Sequence, residues 1–368
     1  MKKVLVLGCT GSIGSQTLDV IRRMPDEFSV AGLSVGKDEG KLEELCAEFG
    51  CPGTCFSRDG NEGLERLVHE SGCDIAVNGV AGAVGLESSV AVLEAGINLA
   101  LANKESVVMA WPVISGIAGR TGASIIPVDS EHSAVFCLIN QIGKENVGNV
   151  IITASGGPFR DYSREKLESV TVEMALNHPT WKMGPKITVD SASLANKGLE
   201  VIEACRLFDV PTEKVRVLVH PQSLVHSMVQ TRDGMIYAQI SDPDMRHPIF
   251  GALTWPEVRE SPLPLFDLAG REMTFFPPRM DDFPMLSLAY GCAEKNGGYT
   301  IAFNAANEVA VQGFFDSRLK FTQIPSLVER VLQADWTEEP CDIASVYRID
   351  SESRKLASGI LDSFGGNA

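Results

Sequence analysis

The chain has 368 residues, 44% of them hydrophobic and 22% charged, the balance of a folded globular protein with two or three domains. Its formal charge of -16 excludes nucleic acid as a partner, because a phosphate backbone is bound through Lys and Arg clusters. No apolar run reaches the roughly 18 residues that span a bilayer, so no membrane partner is expected either.

The opening Met1-Lys-Lys-Val-Leu-Val-Leu has the flavour of a signal peptide, but it stops at Gly8 in a glycine loop and reads as a first strand. The nine cysteines include no CxxC pair. Cys46, Cys51, Cys55 and Cys73 lie near one another in sequence without zinc-type spacing, so reduced thiols in a cytoplasm are expected.

Short apolar runs at 3–7, 29–35, 74–78, 98–101 and 124–128 alternate with helical patterns such as 13–23 and 41–49. That alternation predicts an α/β fold beginning with a Rossmann-like, doubly wound parallel sheet. Past Val128 the strands at 150–153, 215–220, 225–230 and 235–240 follow one another with fewer helices, which predicts a second α/β domain with a mixed sheet. Residues 257–280 are proline-rich and aperiodic and read as a linker. Four helical patterns, 285–295, 300–315, 324–333 and 342–361, then predict a C-terminal helical bundle. The expected division is 1–128 for cofactor, 129–256 for catalysis and dimerisation, 257–280 as linker and 281–368 as bundle. Disorder is expected only in the tail, Gly365 to Ala368.

Gly8-Cys-Thr10-Gly11-Ser12-Ile13-Gly14 follows a strand and opens a helix, the context a dinucleotide fingerprint requires. Gly8 permits the turn, Gly11 lets the backbone approach a pyrophosphate, and Gly14 lets helix pack on strand. The Gly-x-x-Gly-x-x-Gly spacing is not the commonest form. At the end of the second strand, Gly36-Lys37-Asp38, a Lys favours the 2′-phosphate of NADPH, while an inward-pointing Asp38 repels it.

Asp129 and Glu131 stand two apart after an apolar strand and, in extended geometry, face the same way. With Glu200, at the start of a helical run, they form a set of hard oxygen ligands suited to Mg2+ or Mn2+. Taken singly, each is as readily a cap or a surface charge. Thr153-Ala-Ser155-Gly-Gly-Pro-Phe159 and Asp190-Ser191-Ala-Ser193 suggest a phosphate pocket with Ser155, Ser191, Asn196 and Lys197 as donors. A plain helix N-cap is the simpler reading of Ser191. The loop from Asn177 to Pro185 carries His178, Trp181 and Met183 among Pro and Gly residues, in the manner of a lid.

These stretches resemble the 1-deoxy-D-xylulose 5-phosphate reductoisomerase family. The resemblance rests on the glycine loop, Asn103-Lys104-Glu105-Ser106, Asp129-Ser130-Glu131-His132-Ser133 and TASGGPF from Thr153. It continues through HPTWKMG from His178, VDSASLANKGLE from Val189, HPQSLVHSMV from His220 and NAANE from Asn304. It implies a three-part subunit, a homodimer and a small phosphorylated sugar substrate, rearranged under a divalent metal and reduced by NADPH to 2-C-methyl-D-erythritol 4-phosphate. The metal is Mg2+ or Mn2+, with Co2+ a third option. Asp129, Glu131 and Glu200 become the metal ligands. Ser155, Ser191, Asn196 and Lys197 become the phosphate grip, Ser130 binds the sugar hydroxyls, and His178 and Trp181, with Met183, cover the substrate. Lys104 falls beside the metal and sugar oxygens. Asn103, Glu105 and Gly184 fall to the cofactor, with Thr10 to Ile13 and Gly36 to Asp38. Two departures stand out: Cys9 where Ser is usual, and Asp38 where Asn is frequent.

Two other readings compete. A semialdehyde-type dehydrogenase needs an activated Cys, yet Cys137 lies in an apolar helical run. A silent NADPH sensor has no use for three carboxylates and Lys104.

Overall fold

The computed structural model describes residues 1–364, so the tail expected to be disordered lies outside the described residues. The chain forms two compact units, Met1–Val107 with Trp111–Phe136 and Asp244–Leu268, and Val108–Ala110 with Cys137–Pro243 and the remainder from Ala269.

The first unit runs β1 (Lys2–Leu7), α1 (Ser12–Arg23), β2 (Phe28–Val35), α2 (Glu39–Phe49), β3 (Gly53–Cys55), α3 (Phe56–Ser71), β4 (Ile75–Asn78), α4 (Gly85–Glu94), β5 (Asn98–Leu101), α5 (Lys104–Thr121) and β6 (Ile125–Pro127), and helix α6 (Ser130–Ile142) opens after it. The strands lie in the order β3-β2-β1-β4-β5-β6, all parallel. This is the doubly wound sheet the alternating runs predict. Strand β1 is buried almost end to end, as a strand covered by helices on both faces requires. The short edge strand β3 is absent from the sequence reading, because three residues beginning with Gly53 carry no readable alternation.

Helix α5 contains Pro112, and the helix bends at Ala110 (φ −135°). Proline has no N–H for the carbonyl four residues back. The carbonyl so released, on Val108, accepts instead from the Arg206 guanidinium at 2.6 Å.

In the second unit β7 (Val147–Ala154) is followed by short helices α7 (Arg164–Leu167) and α8 (Val172–Leu176), then α9 (Pro185–Ser193) and α10 (Ala195–Phe208), then β8 (Val215–Val219), β9 (Val225–Thr231) and β10 (Ile236–Ile240). The sheet order is β10-β9-β7-β8, with β7 and β8 parallel and the other pairs antiparallel, the mixed sheet expected. Strand β10 is an edge and exposes Met235 (just before it), Ile236, Tyr237 and Ile240.

Helix α11 (Arg246–Thr254) returns the chain to the first unit. Its Ile249, Phe250, Ala252 and Leu253 join the core around Val4, Val6 and Val20, and Lys2 Nζ donates to the Leu253 carbonyl at 2.7 Å. The sequence division places these residues in the middle domain; the apolar face of α11, packed against α1, takes them to the first sheet instead.

The bundle comprises α12 (Met285–Lys295), α13 (Gly298–Phe315), α14 (Ile324–Leu332) and α15 (Ile343–Phe364), within a residue or a few of the sequence reading. Helix α13 is buried nearly all round and takes the centre. Helix α12 packs on α10 over Gly198, where a Cβ would come within 2.6 Å of the Ala289 methyl. Among the described residues no helix is long and apolar enough to cross a membrane.

Candidate active site

In the first unit, the loop from Gly8 to Gly14 makes a tight turn between β1 and α1. Gly8 holds φ +78°, and a Cβ on Gly14 would lie 2.3 Å from the Gly8 carbonyl oxygen. Helix α1 starts after Gly11 without a side-chain cap, so its first-turn N–H groups face outward beside Thr10, Ser12 and Ile13. Asp38, expected either to repel or to ignore a cofactor, caps α2: its Oδ1 accepts from the Lys41 backbone N–H at 3.0 Å.

Asn103 is buried and fully engaged. It caps α5 through Ser106 N–H (3.0 Å) and donates to the Val80 and Gly82 carbonyls at 2.7 and 2.9 Å and to Glu105 at 3.1 Å. Glu105 is buried beside it. The turn that carries Lys104 is therefore tied to the loop between β4 and α4.

Lys104 Nζ donates to Asp129 Oδ2 at 2.7 Å, and both side chains are nearly buried. Burial opposes ionisation of Asp129, but the Lys104 charge and the hydrogen-bonded His132 outweigh it and hold the carboxyl well below the usual carboxylate range. His132, completely buried, meets Asp129 Oδ1 at 3.2 Å. This histidine belongs to the Asp129-Ser130-Glu131-His132-Ser133 stretch but carries no expected role. Its spacing three residues from Asp129 at a helix start was the available signal.

Asp129 and Glu131 do not share a face of an extended segment. The strand ends at Pro127 and α6 begins at Ser130, so Asp129 stands just before the helix, accepting Glu131 N–H at 3.2 Å. Both carboxylates belong to one tight turn, and Ser130 Oγ donates to Glu131 Oε2 at 2.5 Å.

In the second unit, Ser155, His178 and Ser191 come together. His178 Nε2 lies 3.0 Å from Ser155 Oγ and 3.2 Å from Ser191 Oγ. Its Nδ1 accepts backbone N–H groups of Thr180 and Trp181 at 3.1 and 2.9 Å. That leaves the proton of the neutral ring on Nε2, facing the serines. Burial, with Arg160 nearby, lowers the His178 pKa to about 4. Gly156 and Gly157 hold φ +82° and +65°, and a Cβ on Gly157 would lie 2.9 Å from the Ser191 carbonyl oxygen. Glycine is needed for the serine turn to approach α9 so closely.

Ser191 is not an N-cap. It lies in the last turn of α9, whose N-cap is Gly184 with Pro185 at the first position. Leu194, in the left-handed region at φ +62°, ends α9 and starts α10. One turn on, Asn196 Nδ2 donates to Glu200 Oε1 at 2.5 Å, and buried Lys197 pairs with Glu200 Oε2. Asp190 is buried between Lys186 (2.8 Å) and Asn307 Nδ2 (2.8 Å), a brace from α13 that sequence spacing does not reveal. Trp181 packs 6.3 Å from the His226 ring, and residues 177–184 form the loop read as a lid.

Cys137 lies on α6, its thiol raised by burial with no charged partner, so nothing activates it as the semialdehyde-type reading requires. All nine cysteines are free.

The residues present fit a divalent cation and a dinucleotide. An ionised Asp129 beside Glu131, and a buried Glu200, are hard oxygen donors. The uncapped start of α1 behind a glycine turn suits a dinucleotide phosphate.

Comparison with known proteins agrees. A family model for 1-deoxy-D-xylulose 5-phosphate reductoisomerase matches residues 4–59 and 54–111, and models for its C-terminal domains match 125–208 and 240–356. The reductoisomerase of Treponema denticola is 48% identical, covering 99% of each chain, and that of Treponema pallidum is 45% identical, covering 97% of this chain and 96% of its own. A crystal structure of DOX-P reductoisomerase in complex with NADPH, fosmidomycin and magnesium superposes with a TM-score of 0.91 at 34% identity over the whole of both chains. The Zymomonas mobilis enzyme in complex with NADPH gives 0.89 at 37%, over 98% of this chain and 99% of that one. With family models along its length and relatives of nearly half identity end to end, the chain belongs to the 1-deoxy-D-xylulose 5-phosphate reductoisomerase family.

Proposed function

We propose that the site residues described above carry out the reaction of this family, the metal-dependent isomerisation and NADPH-dependent reduction of 1-deoxy-D-xylulose 5-phosphate to 2-C-methyl-D-erythritol 4-phosphate in isoprenoid synthesis. The observation that carries the assignment of roles is the Lys104–Asp129 pair at 2.7 Å, an ammonium and an ionised carboxylate held nearly out of water.

Asp129, Glu131 and Glu200 would hold Mg2+ or Mn2+. When bound, the cation supplies Lewis acidity at the sugar oxygens and NADPH supplies a hydride. Lys104 would lie beside the same oxygens as a fixed positive charge, and Ser130 would orient a hydroxyl. Ser155 and Ser191 receive the phosphate, with neutral His178 donating from Nε2 and Asn196 and Lys197 as further donors. Trp181 and Met183 close over the sugar and exclude water. The phosphate is remote from the reacting carbons, so its binding energy serves orientation and closure. Thr10 to Ile13 and Gly36 to Asp38 bind NADPH, with Asn103, Glu105 and Gly184 toward the nicotinamide. Functionally, 1–128 serves the cofactor and 129–256 catalysis, with 281–368 as a buttressing bundle after the 257–280 connection.

A homodimer through β10 is part of the same reading. Its open hydrogen-bonding edge and exposed Ile236 and Tyr237 support pairing with a second copy. Nine free cysteines support work in the reducing cytoplasm.

The test is NADPH oxidation, followed by absorbance, with 1-deoxy-D-xylulose 5-phosphate before and after chelation and re-addition of Mn2+. Metal-dependent turnover to a methylerythritol phosphate is expected. A folded protein that binds NADPH and turns over under no divalent metal would refute the reading.

A further inference from the structure

On the NADPH assignment above, discrimination against NADH falls to the side chains around the 2′ position of the adenosine ribose. In a doubly wound sheet the adenosine ribose lies at the C-terminal end of the second strand. An NAD site offers the ribose hydroxyls a carboxylate there. Here β2 ends in Val35 and continues as Gly36-Lys37, and the nearest carboxylate, Asp38, is spent on capping α2.

The neighbouring strand supplies a cation instead. Strand β3 pairs in parallel with β2, Val35 opposite Cys55, so the start of α3 lies beside the end of β2. Ser57 N–H donates to the Gly36 carbonyl at 2.9 Å, tying the two turns together. The next residue is Arg58, half-exposed, whose guanidinium is held from behind. Its Nε and Nη2 donate to Asp59 at 2.8 and 2.9 Å, and Nη1 donates to Glu39 at 2.7 Å. Asp59 is itself fixed, accepting from Thr54 Oγ1 at 2.9 Å and from Cys55 N–H at 3.0 Å. A guanidinium has five N–H groups, and these three bonds leave one hydrogen on each terminal nitrogen. A planar guanidinium with a donor left on each terminal nitrogen and a braced back is suited to a phosphate.

We propose that Arg58 is the specificity-determining residue for the 2′-phosphate of NADPH, with Lys37 as the second cation across the Gly36 turn. Asp38 bears no responsibility for the choice, because its carboxylate serves the helix. Asp59 and Glu39 act as positioning residues that orient the fork.

The experiment compares wild type, Arg58→Ala and Arg58→Lys, each with Mn2+ and saturating sugar phosphate, for kcat/KM with NADPH and with NADH. NADPH and NADH binding are also measured by fluorescence without substrate. Arg58 is at the surface, and thermal melts check that the variants fold. The expected result is that Arg58→Ala lowers the NADPH-to-NADH ratio by about tenfold, through KM and not kcat, the scale of a lost charge-assisted phosphate contact. Arg58→Lys should recover part of it, and added salt should narrow the wild-type preference. A ratio within twofold of wild type in Arg58→Ala, or an equal loss for both cofactors, overturns the proposal. Wild-type protein that neither binds nor oxidises NADPH would instead sink the functional assignment beneath it.

Discussion

Lys104 Nζ and Asp129 Oδ2 lie 2.7 Å apart, joining the first turn of α5 to the residue that precedes α6. The pair sets the charge of the carboxylate turn before any cation arrives. Asp129→Asn keeps the shape and removes the charge; turnover should fall by at least about a thousandfold, the upper range for loss of a preorganised electrostatic group. Lys104→Met should cost about a hundredfold in kcat. NADPH affinity, read by fluorescence quenching, should stay at the wild-type value in both. Asp129→Asn with full activity in Mg2+ would show that the ligands lie elsewhere.

His178 gives a pH signature. With its pKa lowered to about 4 in the folded protein against roughly 6.5 when unfolded, the unfolded chain takes up the proton first. The stability tied to the neutral ring is thus complete above about pH 6.5 and drains away as pH falls toward 4. Thermal melts from pH 7.5 to 4.5 should show wild type losing more stability than His178→Gln. Parallel loss in the two proteins would mean the ring titrates normally. Catalysis should show no inflection from His178 near pH 6.5.

Gly14→Ala puts a methyl group 2.3 Å from the Gly8 carbonyl oxygen, and the glycine loop has to shift. Overpacking of this kind costs ~1–3 kcal/mol. Weaker NADPH binding, by about tenfold or more, is the expected outcome of a titration, with the sugar phosphate KM little changed. Unaltered NADPH affinity would argue against this loop as the pyrophosphate site.

Arg206 is partly buried, and burial lowers its pKa to about 10. It donates to the Val108 carbonyl at 2.6 Å and to Thr300 Oγ1 at 2.8 Å. Arg206→Met leaves that carbonyl without the donor it received in place of the missing proline N–H, and should cost on the order of 3 kcal/mol in urea unfolding. A change below about 0.5 kcal/mol, the range of ordinary surface substitutions, would show that water replaces the guanidinium without loss.

Most strands and helices were legible because they are apolar runs of readable period. Strand β3 was not, since an edge strand of three residues is defined by its neighbour β2 and not by its own pattern. Asp129 and Glu131 were legible as neighbouring carboxylates after a strand. Their local geometry was misread because two-residue spacing looks alike in a strand and at a helix start, and α6 begins one residue earlier than an extended reading allows. Asn307 beneath Asp190, and Arg206 beneath Val108, are long-range partners, 117 and 98 residues apart, that no window of sequence connects. Asp38 was ambiguous for a related reason: a carboxylate before a helix serves a cap or a ligand equally well until its direction is known.

Leu194 alone separates α9 from α10, and it does so in a conformation costly to a leucine, about 1–2 kcal/mol. Its side chain is buried, which offsets that cost and pins the corner. The two helices therefore form a set square: Ser191 on one arm and the Asn196–Glu200 turn on the other keep a fixed angle and spacing. Any movement of residues 177–184 has to bend upstream of Pro185, where α9 starts, leaving Ser191, Asn196, Lys197 and Glu200 on the two joined helices.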